Sequence, residues 1–269
     1  MSIDLTSQGD LTIGGDVVGR DKIINNIQII AQRALTAAEE ADQDRALETK
    51  YLAQGVTAFM QQLQAIASQT DASGSPYKGL LEYRLSDAEH FFGRAQAIKE
   101  VLNRLQTGPL IVLHADSGAG KTSLLQAGIA SRLIGAGHLP VYLRPYDQDP
   151  TLVVKRAFLT VPGQTPMLTT APLRDFLSQV CNVLGPSSTL FICLDQFEEF
   201  FMHHGAEARA EFVKDLAECL DDNALRVRWV LAMRTEFFGS LANFRPRIRN
   251  PFENDFRLNR LTRDRKSVV

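Results

Sequence analysis

The run Leu110-Ile111-Val112-Leu113-His114-Ala115-Asp116-Ser117-Gly118-Ala119-Gly120-Lys121-Thr122-Ser123 decides the fold. It begins as an apolar stretch of strand length. It passes through a loop holding Gly118 and Gly120, and ends where Ser123-Leu124-Leu125 opens a helical pattern. Strand, glycine-bearing loop and helix, in that order, make a phosphate-binding P-loop. The loop N–H groups and the N-terminus of the new helix converge on one spot, where an anion is stabilised. Ser117, Gly118, Ala119, Gly120, Lys121, Thr122 and Ser123 are therefore the predicted nucleotide-contacting residues. Lys121 would reach the β- and γ-phosphates, and the Thr122 hydroxyl would ligate Mg²⁺. The pattern G-x-x-x-x-G-K-[ST] is broken at one place, since Ala115 stands at its first glycine, and alanine does not accept every positive φ.

A P-loop needs an acidic partner. Leu190-Phe191-Ile192-Cys193-Leu194 is a second apolar strand, and it ends in Asp195. Its carboxylate is predicted to hold Mg²⁺ beside Thr122. Asp195 is followed by Gln196-Phe197-Glu198-Glu199. One of the two glutamates would polarise the attacking water, Glu199 being the preferred one. As first-turn acids both also suit the positive end of a helix. Val227 to Met233 is a third strong strand, and Arg234 just beyond it is a candidate γ-phosphate sensor.

Apolar strands alternating with helical patterns predict an α/β fold with a mostly parallel sheet flanked by helices. Pro140 to Arg144 supplies a further short strand. Ligands in such sheets bind at the strand C-terminal ends, where all the motif residues fall. Upstream the pattern changes. Residues 1–30 carry β-branched pairs separated by Gly-Asp and Gly-Arg-Asp, predicting a short glycine-rich β segment. Residues 31–70 are rich in Ala, Gln, Glu and Leu and read as helix. Leu52, Val56, Phe59, Leu63 and Ile66 form an apolar seam there. The seam serves either packing within the chain or self-association with a second copy or a partner protein. Residues 71–79 are polar with Gly and Pro and read as a linker, leaving 80–269 as the P-loop domain.

The 269 residues are 45% hydrophobic and 22% charged, with a net charge of −2. Nothing in that balance points to nucleic acid or a membrane surface. There is no signal-like N-terminus and no apolar run of membrane-spanning length. Cys181, Cys193 and Cys219 lie in apolar contexts and read as buried thiols of a reducing, cytoplasmic compartment. His203-His204 lacks partners at zinc-ligand spacing. The basic stretch from Arg245 to Lys266 is interrupted by Glu253, Asp255 and Asp264, and reads as a solvated or domain-receiving face.

These pieces resemble the STAND class of signal-transduction ATPases, above all its bacterial novel STAND branch. The carrying residues are Pro76-Tyr77-Lys78-Gly79-Leu80, Asp87 to Arg94, Asp116 to Gly128, Leu194-Asp195-Gln196-Phe197-Glu198-Glu199 and Leu231-Ala232-Met233-Arg234-Thr235-Glu236-Phe237. The resemblance covers about residues 76–262. It implies a switch in which ADP holds a resting form and exchange for ATP drives oligomerisation and effector activation, in settings such as antiphage defence. It also implies that Phe92, Gly93 and Arg94 lie near the adenine or ribose. Members of the class continue into a winged-helix and sensor region, which is the expectation for what lies beyond Val269. No guanine-reading Asn-Lys-x-Asp follows the P-loop, so ATP/ADP is the expected nucleotide. Two other readings stand beside the switch. One is a DNA-acting motor, for which no basic groove is evident. The other is a non-enzymatic nucleotide-binding module working through its N-terminal helices.

Overall fold

The computed structural model describes residues 19–39, 46–69, 81–159 and 165–261. Two helices come first, α1 (Arg20–Glu39) and α2 (Ala46–Ser68). A 3₁₀ turn (Leu85–His90) leads to α3 (Ala95–Thr107) and β1 (Leu110–Ala115). The P-loop helix starts as α4 (Lys121–Ser123), widens into a π-helical stretch (Leu124–Ala130) and ends as α5 (Ser131–Gly135). Then follow β2 (Leu139–Leu143), α6 (Pro150–Arg156), α7 (Pro166–Thr170), α8 (Leu173–Leu184) and β3 (Leu190–Leu194). The chain continues through α9 (Glu198–His203), α10 (Ala206–Asp221) and β4 (Val227–Arg234). A second 3₁₀ segment (Thr235–Phe244) and β5 (Asp255–Arg257) complete the order.

The sheet is five-stranded, in the order β2-β3-β4-β1-β5, and every pairing is parallel. Its strands are buried on both faces, as their continuous apolar runs require. Side chains alternate between two cores. Val112, Ile192, Leu194, Trp229, Leu231 and Met233 enter one. Ile111, Leu113, Cys193, Val230 and Ala232 enter the other, with α3 and the P-loop helix. Strand β5 is the element that sequence reading misses. Three residues, Asp-Phe-Arg, carry no apolar run, and only the open edge of β1 makes them a strand.

The N-terminal region departs from expectation. From Arg20 to Ile30 the chain is helix, not β segment. The rest of that segment lies outside the described residues, as does the 71–79 linker. Ile23, Ile27, Ile30 and Ala34 recur at helical spacing and are almost wholly buried. This stripe outweighs the strand preference of the β-branched pair Ile23-Ile24, because intrinsic propensity is a weak prior beside a face that can be buried. The seam on α2 is spent the same way. Leu52 and Val56 are fully buried in the same core as the sheet residues, and Phe59 and Leu63 pack against it. Helix α1 lies on α2, α8 and α5. The Asn26 amide donates to the Ile134 and Gly135 carbonyls at 3.0 and 2.8 Å, satisfying the open end of the P-loop helix. The hairpin is thus built into the P-loop core rather than set apart from it.

One glycine makes that approach possible. A Cβ at Gly55 on α2 would stand 1.6 Å from the Phe158 carbonyl oxygen, a backbone atom that cannot swing aside. Gly55→Ala is expected to lower stability by about 2 kcal/mol or more, the upper range for overpacking. Urea unfolding followed by Trp229, the chain's single and fully buried tryptophan, measures it. The three cysteines are all free and buried. Burial pushes Cys181 up to about 11 and Cys193 and Cys219 to about 12. A raised thiol pKa means little thiolate below the shifted value, so the native chain is expected to react with fewer than one equivalent of a disulfide reagent at pH 8. In urea it should expose all three thiols.

Candidate functional site

The P-loop leaves β1 at Ala115, which is a strand residue in register with Arg234 on β4. Positive φ falls on Gly118 (73°) and Gly120 (91°), where glycine is needed, and not on Ala115. The departure from the glycine pattern therefore carries no backbone strain. Three cations hold the loop's carbonyls. Lys121 Nζ donates to Ala115 O at 3.1 Å, Arg94 Nη2 to Ala119 O at 2.6 Å and Arg260 Nη2 to Ser117 O at 3.1 Å. Within the loop the Ala119 N–H donates to Asp116 O at 3.2 Å.

Lys121 is half buried, and burial lowers its pKa, while Glu198 and then Asp195 act against that shift. Thr122 Oγ1 donates to Asp195 Oδ2 at 2.6 Å. Asp195 is 1% exposed. Its Oδ2 also accepts from the Tyr142 hydroxyl at 2.5 Å, and Arg144 Nε lies 3.5 Å away. Burial, then the Asp195 charge, raises the Tyr142 pKa far above the usual phenol range. Asp195 Oδ1 is buried without a hydrogen-bond partner among the described residues. An orphaned carboxylate oxygen beside a threonine hydroxyl fits a divalent cation taking its remaining ligands from phosphate and water. Among the described residues no group of three or more His, Cys, Asp or Glu forms an all-protein metal cage.

After Asp195 the chain turns sharply. Gln196 takes φ 55°, a left-handed conformation costing roughly 1–2 kcal/mol for a residue with a Cβ. The turn drops Phe197 into a buried aromatic cluster, 4.8 Å from Phe200 and 5.9 Å from Phe212. That anchoring fixes the rotation of α9 and separates the two glutamates. Glu198 is 3% exposed and faces β4. Its Oε2 accepts from the Arg234 backbone N–H at 3.2 Å, and its Oε1 lies 3.1 Å from Arg234 Nε. Glu199 points the other way, onto His203 at 2.9 Å along its own helix. Of the two glutamates, Glu198 is the one brought to Arg234.

Lys121, Thr122, Asp195, Glu198 and Arg234 converge at the strand C-terminal ends. Other predicted residues serve differently. Ser123 Oγ accepts from the Tyr83 N–H at 3.0 Å and so fastens the segment before α3. Arg94 donates to Ala119 O and, at 2.6 Å, to Asn259 O, and so braces the loop. Gly93, at φ 79°, provides the bend before it. Arg257 and Arg260, read as part of a basic face, lie at Asp116 and Ser117 of the loop.

The novel STAND NTPase 1 family matches residues 76–268. The chain belongs to that family. It is a nucleotide-binding NTPase with a P-loop, and no helix among its described residues is long and apolar enough to cross a membrane. No curated protein matches the chain. Two solved structures of the Aeropyrum pernix ORC2 protein are similar to it, the ADP form and the ADPNP–ADP complexes, at 19% and 17% identity. The similarity covers 62% and 61% of this chain, with a TM-score of 0.43 in each case. This chain spans 47% of the length of each of those chains.

Sequence reasoning missed Tyr142, Arg144 and Glu82, which crowd the Thr122–Asp195 corner. Tyr142 and Arg144 sit at the C-terminal end of the strand beside β3, the end where ligands bind. That position was a usable signal. Glu82 left none.

The bracing role of Arg94 is open to test. Arg94→Ala is expected to weaken ADP binding about tenfold, the loss of one charge-assisted contact, by freeing the loop. Leu152→Ala, at an exposed position on α6, should change ADP binding less than twofold in the same calorimetric titration.

Proposed function

We propose that this chain is a nucleotide-dependent switch that binds ATP or ADP with Mg²⁺ and hydrolyses ATP. The observation that carries the reading is the convergence of Lys121, the Thr122–Asp195 pair and the Glu198–Arg234 pair on the mouth of one loop. The loop N–H groups receive the phosphates and Lys121, released from Ala115 O, neutralises them. Thr122 and Asp195 are the residues that would hold Mg²⁺, which when bound supplies charge neutralisation across the β- and γ-phosphates. Glu198 is the general base and Arg234 the γ-phosphate sensor. Both Glu198 oxygens are engaged by Arg234, so the base is restrained while the arginine has nothing else to bind. A γ-phosphate gives the guanidinium a stronger partner, and turning to it leaves Glu198 Oε1 free to accept a proton from water.

Coupling of nucleotide state to oligomerisation and to an effector, in defence or regulation within the cytoplasm, extends the same reading. It is supported by the contact between α1 and the far end of the P-loop helix. Ile29, Leu35 and Leu47 remain exposed on α1 and α2, and are the apolar contacts a second copy or partner protein would meet. The alternative, a non-enzymatic nucleotide-binding module acting through its N-terminal helices, predicts self-association that survives deletion of residues 71–269, and the core these helices share with the sheet argues against that.

The first experiment is to denature purified protein and identify the released nucleotide by mass. ADP near one per chain, lost in Lys121→Ala, is the expected result. No nucleotide in a folded wild-type chain that also fails to bind added ADP would sink the reading. For the chemistry, Glu198→Gln should cut turnover by about 10²–10⁴-fold, the range for a general base, with nucleotide still bound. Glu199→Gln should stay within twofold of wild type.

A further inference from the structure

The corner between Thr122 and Asp195 already holds a positive charge. Arg144, just past the end of β2, places Nε 3.5 Å from Asp195 Oδ2 and Nη2 3.4 Å from Thr122 Oγ1. The same guanidinium donates to the Tyr142 hydroxyl at 2.8 Å and to Glu82 Oε2 at 2.7 Å. Thr122 gives its proton to Asp195, so the oxygen that Arg144 approaches is the one a cation would take. Tyr142 caps the carboxylate from the β2 side.

We propose that Arg144 is an internal counter-cation that competes with the divalent metal for Thr122 and Asp195, and that Glu82 sets how hard it competes. This rests on the nucleotide reading above for its purpose, but not for its measurement. Like charges held on the same two oxygen ligands repel, so a guanidinium here opposes a dication. Glu82 is partly exposed and draws the guanidinium outward, sharing its charge. The arrangement keeps Asp195 neutralised when no metal is present, since a lone buried carboxylate is costly. It also ties the metal corner to the segment that enters the domain. Glu82 holds Arg144 and the Tyr83 N–H holds Ser123, so residues 82 and 83 grip the P-loop corner at two points. The 3₁₀ turn that follows lies on α1 and α2. A displacement of the N-terminal hairpin therefore reaches Arg144 through Glu82.

The test uses Mn²⁺ alone on the nucleotide-free full chain, with free Mn²⁺ read by electron paramagnetic resonance. Arg144→Gln is expected to bind Mn²⁺ about tenfold tighter than wild type, since it removes the competing charge. Arg144→Lys keeps the charge and should stay within about threefold of wild type. Glu82→Gln should move the other way and weaken Mn²⁺ binding, because it leaves the Arg144 charge unshared. Trp229 emission reports whether each variant is folded. If Arg144→Gln fails to fold, Arg144→Met takes its place in the same measurement. Equal or weaker Mn²⁺ binding in folded Arg144→Gln overturns the proposal, and so does an unchanged Glu82→Gln. ADP titrated into wild type in EDTA stands apart, for its failure would overturn the nucleotide reading and leave the Mn²⁺ ratio as measured.

Discussion

One buried carboxylate organises the site. Asp195 ends β3 inside the sheet, where an ionised acid survives only with donors around it. Its backbone N–H is taken by Leu143 O of β2, at 2.9 Å. Its side chain draws in Thr122 from the P-loop helix and Tyr142 and Arg144 from β2. Two other segments thus meet at one oxygen, while Oδ1 is buried without a hydrogen-bond partner among the described residues. The strand order supplies the geometry. With β4 lying between β1 and β3, the loop after β1 and the acid after β3 face each other across β4, and Arg234 rises from that strand's end between them.

The rest of the molecule is arranged to hold that meeting point still. The aromatic cluster around Phe197 sets the rotation of α9, which decides that Glu198 and not Glu199 enters the cleft. Arg94 and Arg260 restrain the loop through the Ala119 and Ser117 carbonyls before any ligand arrives, while Lys121 rests on Ala115 O. Preorganised donors of this kind stabilise charge without paying for reorganisation. The strain at Gln196 belongs to the same account, because the turn it makes is what buries Phe197.

Much of this was legible in the sequence, because the chemistry there is local. Strands β1, β3 and β4 announce themselves as apolar runs, and each carries its functional residue at its C-terminal end. The P-loop is a contiguous signal, and Asp195 is found by position. What could not be read depends on contacts distant in sequence. The rotation of α9 rests on Phe212 and Phe244, which no spacing rule connects to Glu198. The brace between Arg94 and Ala119 joins residues that only the fold brings together. Strand β5 exists because β1 has an open edge, and nothing in Asp-Phe-Arg requires it. The N-terminal segment differs for another reason. The isoleucine stripe of α1 is present in the sequence, but glycine-flanked β-branched pairs at its start carry a competing strand signal.

The P-loop helix has a property that belongs to its two ends taken together. Its first turn faces the phosphate position, and its last carbonyls are held by Asn26 of α1. By the rise of an α-helix the distance between them is roughly 20 Å. The helix is a connecting rod, with one bearing at the nucleotide and the other on the N-terminal hairpin. A rod transmits axial displacement without attenuation as long as it does not shorten. The π-helical turns from Leu124 to Ala130 lie midway along it, and a change between π and α winding there alters its length and the phase of everything beyond. The distance between the two bearings is therefore set by the winding of those seven residues.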